Sequence, residues 1–261
     1  MAEHSNEILW RTFSVIEALG TQPNGLGISK LAEKTGLHKS TVYRLAGTLC
    51  EMGYAKKDPV TENYSLSMKF VQLAGLLLSR TELKVVAYPH LKKLAAATFQ
   101  TVHLCVLREQ QAVYLDKVQA YNNSLHMFSA IGTGVPLYST AVGKCLLAWQ
   151  PPKTLSGILD ALSFAPVTAH TLRTREALLQ QLAEVRQQGF ASDDEENEAG
   201  IRCAAAPVRD YSGAVIAAVS VSGDFPAVAC EAFREAAAAV CRTAAAISKD
   251  LGCSISPDPA D

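Results

Sequence analysis

Residues 27–49 constrain the fold of this chain more than any other stretch, because they have the pattern of two short amphipathic helices joined by a tight turn. Ser29 is placed to cap the first helix, and Gly36 supplies the left-handed or tight backbone that ends it. In the second helix, apolar residues recur at i, i+3, i+4 and i+7 from Val42 to Leu49. This arrangement predicts a helix-turn-helix.

The outward side of the second helix carries polar groups that suit contacts with DNA. Hydroxyl, guanidinium and phenol groups on the first two turns of an exposed helix can reach base edges and phosphates in a major groove. A structural helix pair with an ordinary solvated face would show the same pattern. The candidate DNA-binding residues are Ser29, Lys39, Ser40, Thr41, Tyr43 and Arg44, together with Lys56 and Lys57 of the next segment.

Residues 53–66 predict a β-hairpin that completes a winged helix. The basic strand 53–57 is followed by turn residues and by a return strand over 62–66. Lys56 and Lys57 lie near the tip, where they would either contact phosphate or be merely solvated.

Two further helices flank this module. A helix over 7–19 has an expected inward stripe of Leu9, Phe13, Ile16 and Gly20, which is widened by Ile8, Val15 and Leu19. Trp10 is interpreted as a core aromatic. A strongly apolar helix over 67–79 needs a partner, and packing on its own domain is the simplest one.

The rest of the chain predicts a mixed domain of helices and strands. Helices are expected over 83–99, 176–188 and 229–251, and strands over 101–108, 112–119, 125–131, 201–209 and 214–222. Asp193 directly ends a further strand, whereas the acidic run from Asp194 onward has the composition of a solvated loop.

Residues 136–149 predict an anion site at the start of a helix. Ser139 is a suitable N-cap, and the apolar residues that follow recur with helical spacing. The amides from Thr140 to Gly143 then lack intrahelical acceptors, and the helix dipole favours negative charge there. Such an end can bind a carboxylate or phosphate. The spacing of a nucleotide-binding P-loop is missing.

Small polar residues converge on one face of the predicted hairpin 201–222. Alternation places Cys203 on one face of its strand, and Ser220 and Ser222 share a face of the other. One register sets Cys203 opposite Ser220, and a shift by one residue sets it opposite Ser222. These groups either hydrogen-bond within the core or line a pocket for a small polar ligand.

Composition excludes several classes of protein. The chain has 261 residues, 49% of them hydrophobic, with a net charge of −1. Seven cysteines without paired short spacings indicate reduced thiols in a cytoplasmic protein rather than a disulfide framework or a zinc site. We expect no metal, no cofactor and no membrane span. His90 and His103 are interpreted as structural or surface residues.

Six segments together resemble the signature blocks of the IclR family of bacterial transcriptional regulators, and the resemblance runs from about residue 7 to about residue 251. They are HKSTVYRLAGTLCEMGY, NYSLSMKFVQLA, TVHLCVL, PLYSTAVGKCLLAW, GFASDDEENEAGIRCAAAPV and AAVSVSG. Three of these blocks are most similar to the branch of the family that senses 2-keto-3-deoxygluconate and related sugar acids.

The resemblance implies an α+β chain with a winged helix-turn-helix over 1–66, a linker helix over 67–82 and a GAF-like effector domain with a largely antiparallel sheet over 83–261. It implies a dimer or dimer of dimers that binds operator DNA and responds to a small organic acid. It also implies, as alternatives to packing within one copy, that the first helix with Trp10 helps to pair two DNA-binding domains and that the linker helices of two copies contact each other. With the helix amides, the implied effector residues are Thr140, Ala141, Val142, Asp193, Cys203, Ser220 and Ser222.

Two other classes of function stay open at this stage. A constitutive architectural DNA binder would use the second domain for dimerisation and would need no ligand. A Cys-dependent enzyme would need Cys203 as nucleophile, His103 as base and Asp193 as orienter, but no local motif supports catalysis.

Overall fold

The computed structural model describes residues 7–22, 24–78, 83–119 and 129–254, and the chain divides into two compact units, Met1–Arg80 and Thr81–Asp261. The first unit is helical with a two-stranded sheet, and the second combines helices with a six-stranded sheet. The predicted α+β fold class is therefore confirmed.

The first unit is a winged helix-turn-helix. Its elements are α1 (Glu7–Gly20), α2 (Ile28–Thr35), α3 (Lys39–Glu51), the antiparallel strands β1 (Ala55–Lys57) and β2 (Tyr64–Leu66), and α4 (Lys69–Leu78). Gly36 ends α2 with φ 69°, as its position in the turn requires. The N-cap of α2 is Gly27, so the prediction that Ser29 caps it is wrong, and Ser29 lies exposed in the first turn.

The core of this unit uses only the C-terminal half of α1. Val15 and Leu19 are buried against α2, α3 and β2, whereas Leu9 and Phe13 are more than half exposed. The predicted inward stripe is therefore wrong at its N-terminal end, because the neighbouring elements do not extend that far along the helix. Trp10 is 58% exposed, so its interpretation as a core residue is also wrong.

The second unit is built on one antiparallel sheet. Its strands are β3 (Thr101–Arg108), β4 (Gln111–Val118), β5 (Gly134–Pro136), β6 (Ala191–Asp194), β7 (Arg202–Arg209) and β8 (Val215–Gly223), in the order β5-β4-β3-β8-β7-β6. The strand predicted over 125–131 lies largely outside the described residues, and its described part, 129–131, is not in a strand.

Helices cover both faces of the sheet and create two cores. They are α5 (Leu83–Thr98), α6 (Ala141–Ala148), α7 (Pro152–Ala161), α8 (Arg175–Gln188) and α9 (Glu231–Asp250). Helices α5 and α9 pack on one face of the sheet, and α6 packs on the other, where α8 covers it. Alternation along β7 sends Ala204 to the first core and Ala205 to the second. In the described parts of the chain, we find no helix with the length and apolarity that crossing a membrane requires.

Candidate effector cavity and DNA-contacting face

Helix α6 begins one residue later than the sequence predicts. Thr140, at φ −116° and ψ 144°, is its N-cap, and its Oγ1 accepts a hydrogen bond of 3.1 Å from the amide of Gly143. The prediction that Ser139 caps the helix is therefore wrong. Ser139 instead donates to Oδ1 of Asn197 at 3.2 Å and so ties the start of α6 to the loop after β6.

The amides of the first two residues of this helix remain unused. The side chain of Thr140 takes the amide of Gly143, which we had expected to be free. The amides of Ala141 and Val142 have no hydrogen-bond acceptor among the described residues. Both donors lie at the positive end of the helix dipole, where an anion is stabilised.

Gly143 allows α6 to approach the segment before it very closely. A Cβ atom at this position would lie 2.5 Å from both the Cα and the carbonyl oxygen of Leu137. Any side chain here would therefore push the helix away from its present position.

A cavity separates this helix end from the sheet, and its walls enclose about 550 Å³ of space that includes the opening to solvent. All seven effector residues predicted from the sequence line it: Thr140, Ala141, Val142, Asp193, Cys203, Ser220 and Ser222. The sequence prediction missed seven others: His103, Tyr114, Ser129, Val135, Asn197, Glu198 and Ile201. The described lining residues include no lysine or arginine.

Strand register decides how the polar side chains of the wall are arranged. Cys203 pairs with Ser222, so of the two registers left open, the shifted one is correct. Ser220 pairs with His103 on its other side, and Ser222 pairs with Thr101. Cross-strand partners share a face of the sheet, so the thiol, the hydroxyls and the imidazole form one continuous polar surface.

Asp193 is the most perturbed acid of the cavity. It is 2% exposed, and its Oδ1 accepts from the amide of Glu196 at 2.8 Å. Burial raises the pKa of Asp193 to about 7, although the nearby ammonium of Lys144 opposes the rise. A carboxyl with that pKa is present at neutral pH in both protonation states and can donate a hydrogen bond as well as accept one.

A buried ion pair lies next to Asp193 in the fold. The Nζ of Lys144 is 2.6 Å from both Oε1 of Glu196 and Oε1 of Gln181, and Lys144 is fully buried. Burial raises the pKa of Glu196, and Lys144 opposes that change. The interpretation of the acidic run as a simple solvated loop is therefore wrong at Glu196, because this side chain compensates a buried cation. It is also wrong at Asp194, which is the last residue of β6.

His103 is a wall residue of the cavity. It is 1% exposed, which contradicts a surface position, and its Nε2 lies 2.8 Å from Oγ of Ser129. Burial, with a smaller contribution from Lys117, lowers the pKa of His103 to about 3. The signal that could have identified it is alternation, because His103 is two residues from Thr101 and Cys105 on the same strand.

The geometry does not support Cys203 as a nucleophile. Burial and the carboxyl of Asp193 raise the pKa of its thiol well above the usual range, whereas a nucleophilic cysteine needs a stabilised thiolate. His103 is two strands away, on β3, with β8 between them. The nucleophile and the proposed base are therefore not adjacent.

The first unit presents the predicted DNA-contacting side chains on one helix and its neighbours. On α3, Lys39, Ser40, Tyr43 and Arg44 are exposed, and Thr41 is half-buried; Ser29, Lys56 and Lys57 are exposed as well. The buried stripe of α3 is the predicted one from Val42 to Leu49. Lys57 forms an ion pair with Glu62 across the wing, so part of its charge is already compensated.

Comparison with known proteins identifies the family of both units. Residues 9–59 match the family described as the IclR helix-turn-helix domain, and residues 75–249 match the bacterial transcriptional regulator IclR C-terminal domain. The HTH-type transcriptional regulator KdgR of Dickeya chrysanthemi is 40% identical over 218 residues, which cover 84% of this chain and 70% of that protein. KdgR of Escherichia coli K12 is 39% identical over 81% of this chain and 80% of that protein. These relatives are transcriptional regulators rather than enzymes.

Solved structures of related proteins have the same fold. The crystal structure of Thermotoga maritima IclR is 32% identical, with a TM-score of 0.63, and the match covers 94% of this chain and 98% of that one. The C-terminal domain of E. coli KdgR is 37% identical, with a TM-score of 0.59, over 66% of this chain and 99% of that domain.

Proposed function

The chain belongs to the IclR family of bacterial transcriptional regulators, and from that premise we propose that it is a repressor of a carbon-catabolism operon whose binding to operator DNA is controlled by a small organic acid. The acid binds in the cavity beside α6, and operator DNA is bound by the outward face of α3. The lining residues that contact the acid are those predicted from the sequence, with Thr140 to Val142 at the helix end.

The observation that carries this proposal is the pair of unused amides of Ala141 and Val142 at a cavity whose described lining has no cationic side chain. Fixed backbone donors at the positive end of a helix stabilise an anion without the cost of burying a lysine or arginine. Lys144 is already paired with Glu196 and does not line the cavity. A carboxylate is therefore the group that this wall accommodates best.

We propose that the acid is a sugar acid such as 2-keto-3-deoxygluconate. The support comes from the sequence blocks shared with that branch of the family and from the regulators named KdgR among the relatives. Serine hydroxyls at 220 and 222 offer further hydrogen bonds to such a ligand.

Dimerisation is part of the same proposal. Four apolar residues of α1 are each more than half exposed: Ile8, Leu9, Trp10 and Phe13. Met68, directly before α4, and Val71 within α4 are also more than half exposed. A monomeric protein rarely exposes so many large apolar side chains on two helices of one small unit. We propose that these helices pair two copies, which would present two copies of α3 to a two-fold symmetric operator.

The proposal is tested most sharply at Ala141, the first residue of α6. Proline is tolerated at this position of a helix, and the extended backbone of Thr140 suits a residue before proline. Ala141→Pro therefore removes one free amide and leaves the helix intact. Glu231→Pro, at the first position of α9, is the matched control, because its N-cap Cys230 is also extended.

A DNA duplex that the wild-type protein binds is first selected from a random pool and labelled with a fluorophore. The assay then measures how much of this duplex each protein releases as 2-keto-3-deoxygluconate is added. We expect Ala141→Pro to require at least about tenfold more acid than wild type, since a charge-assisted hydrogen bond is lost. Glu231→Pro should behave as wild type, and all three proteins should bind the duplex equally without acid. If no acid in a panel of keto acids and sugar acids raises the melting temperature of the wild type, the chain is a constitutive DNA binder instead.

A further inference from the structure

His103 occupies a place in the cavity wall that the effector residues predicted from the sequence leave unexplained. It lies on β3, in the centre of the sheet, between Ser220 of β8 and Lys117 of β4. Its ring packs against Tyr114 with 4.8 Å between centroids. A buried polar ring in a ligand cavity, rather than in the apolar core, is a group that can act on the ligand.

The imidazole of His103 is uncharged at physiological pH, because burial and Lys117 hold its pKa near 3. A neutral imidazole has one donor nitrogen and one acceptor nitrogen. It cannot form an ion pair with a carboxylate, but it can exchange hydrogen bonds with a hydroxyl group.

The hydrogen bond between His103 and Ser129 makes this wall adaptable. When Nε2 carries the proton, it donates to Oγ of Ser129 at 2.8 Å, and the serine proton is free to reach a ligand acceptor. When Nε2 is unprotonated, the serine donates to it, and the serine oxygen can accept from a ligand donor. The pair therefore matches a hydroxyl group in either of its roles.

The spacing of the strands sets how long a ligand must be to contact both the His103–Ser129 pair and the thiol of Cys203. Cys203 on β7 and His103 on β3 are separated by two strand spacings, roughly 10 Å. A chain of about five or six carbons with terminal oxygens reaches from one of these residues to the other more readily than a three-carbon acid does.

We propose that His103 is a specificity-determining residue of the cavity and that, with Ser129, it hydrogen-bonds a hydroxyl group on the carbon chain of the ligand. The cavity then selects polyhydroxylated acids of about five or six carbons over alkyl acids of equal length and over short keto acids. This inference rests on the proposed function and adds to it a residue and the chemical feature that the residue recognises.

The test uses two acids with the same six-carbon keto acid skeleton. 2-Keto-3-deoxygluconate carries three hydroxyl groups that 2-ketohexanoate lacks, and both affinities are measured by isothermal titration calorimetry on the full chain. The variants are His103→Leu, His103→Gln, which keeps a hydrogen-bonding group, and Ser129→Ala. His90→Leu is the matched control, because His90 lies on α5 of the same unit, paired with Asp250, and does not line the cavity.

We expect the wild type to prefer the hydroxylated acid and His103→Leu to reduce that preference about 5- to 30-fold, the range for one or two lost hydrogen bonds. The affinity for 2-ketohexanoate should not fall. His103→Gln should restore part of the preference, Ser129→Ala should reduce it, and His90→Leu should leave it unchanged.

Several results would overturn the inference. An equal loss of affinity for both acids in His103→Leu would mark His103 as a packing residue only, and an unchanged preference would exclude it from ligand contact. If His103→Leu does not fold, as judged by its melting transition, an unchanged preference in Ser129→Ala would reject the pair. A wild type that binds neither acid would refute 2-keto-3-deoxygluconate as the effector, and with it this part of the proposed function. A wild type that binds both equally would refute only the role of His103.

Discussion

Replacing Asp193 by asparagine should remove a pH-dependent cost that the folded protein carries near neutrality. The side chain is 2% exposed, and burial raises its pKa from 3.8 to about 7. Asparagine has nearly the same shape, and its oxygen can still accept the hydrogen bond from the amide of Glu196. The substitution therefore removes the ionisation and keeps the contact.

The magnitude follows from proton linkage. Because the folded state binds the proton more tightly than the unfolded state, the contribution of Asp193 to stability is fully present below pH 3.8 and is lost as the pH rises through 7. A factor of ten in proton affinity is worth about 1.4 kcal/mol. Between pH 5 and pH 8, this single group should lower the free energy of unfolding by about 2.5 kcal/mol.

The assay is urea unfolding of wild type and Asp193→Asn at several pH values from 5 to 8. Unfolding of the second unit is followed by the fluorescence of Trp149. Trp10 is replaced by phenylalanine in all proteins so that it does not contribute to the signal. Asp193→Asn should be more stable than wild type at pH 8, and this advantage should shrink by about 2.5 kcal/mol on going to pH 5. Asp194→Asn, next on the strand and half-exposed beside Arg202, should keep the wild-type pH dependence.

If the difference in the free energy of unfolding between wild type and Asp193→Asn stays constant from pH 5 to pH 8, the pKa of Asp193 is not raised by burial. If Asp193→Asn is less stable than wild type at pH 8, the buried carboxylate is favourable and the predicted cost of ionising Asp193 is absent. Either result would show that Lys144 compensates the charge of Asp193 fully.

Three further predictions concern the DNA face, the cavity and the buried ion pair. If Arg44 contacts a base, Arg44→Ala should weaken binding to the selected duplex by about 1 to 3 kcal/mol. If Arg44 contacts phosphate, the variant should bind all sequences more weakly, and the slope of log affinity against log salt concentration should fall by about one. An unchanged duplex titration would exclude Arg44 from contact with DNA. Ser220→Ala with Ser222→Ala should weaken acid binding by about 1 to 3 kcal/mol in calorimetry while duplex binding without acid stays at the wild-type level. Loss of duplex binding in that variant would mark the serines as core residues. Lys144→Met should lower the free energy of unfolding in urea at pH 7 by about 3 to 5 kcal/mol, because Glu196 is left buried without its cation. Adding Glu196→Leu should recover most of that loss. If nothing is recovered, the ion pair does not explain the loss.

Local patterns in the sequence were sufficient for the elements of the DNA-binding unit. The apolar stripe of α3 and the left-handed Gly36 depend on residues within a few positions of one another, so periodicity and turn chemistry determine them. The same holds for the free amides of Ala141 and Val142 at the start of α6, although the capping residue is Thr140 and its side chain takes the amide of Gly143. A helix end leaves amides unpaired whatever surrounds it.

Helix α1 shows what hydrophobic periodicity alone cannot predict, which is the part of an apolar face that is buried. Leu9 and Phe13 have the spacing of a buried stripe but are exposed, because α2, α3 and β2 cover only the C-terminal half of the helix. A hydrophobic pattern states which residues share a face. It does not state how far along that face another element reaches.

The tertiary structure decided how the cavity wall is assembled and which further residues belong to it. The sequence determined that Cys203, Ser220 and Ser222 lie on strand faces, but both registers satisfied the alternation, and only the folded sheet pairs Cys203 with Ser222. His103 and Lys144 gain their partners from segments 26 and 52 residues away along the chain, so no local pattern identifies those partners. Hydrophobic periodicity is a property of neighbours in sequence, whereas burial of a polar group depends on which distant residues satisfy it.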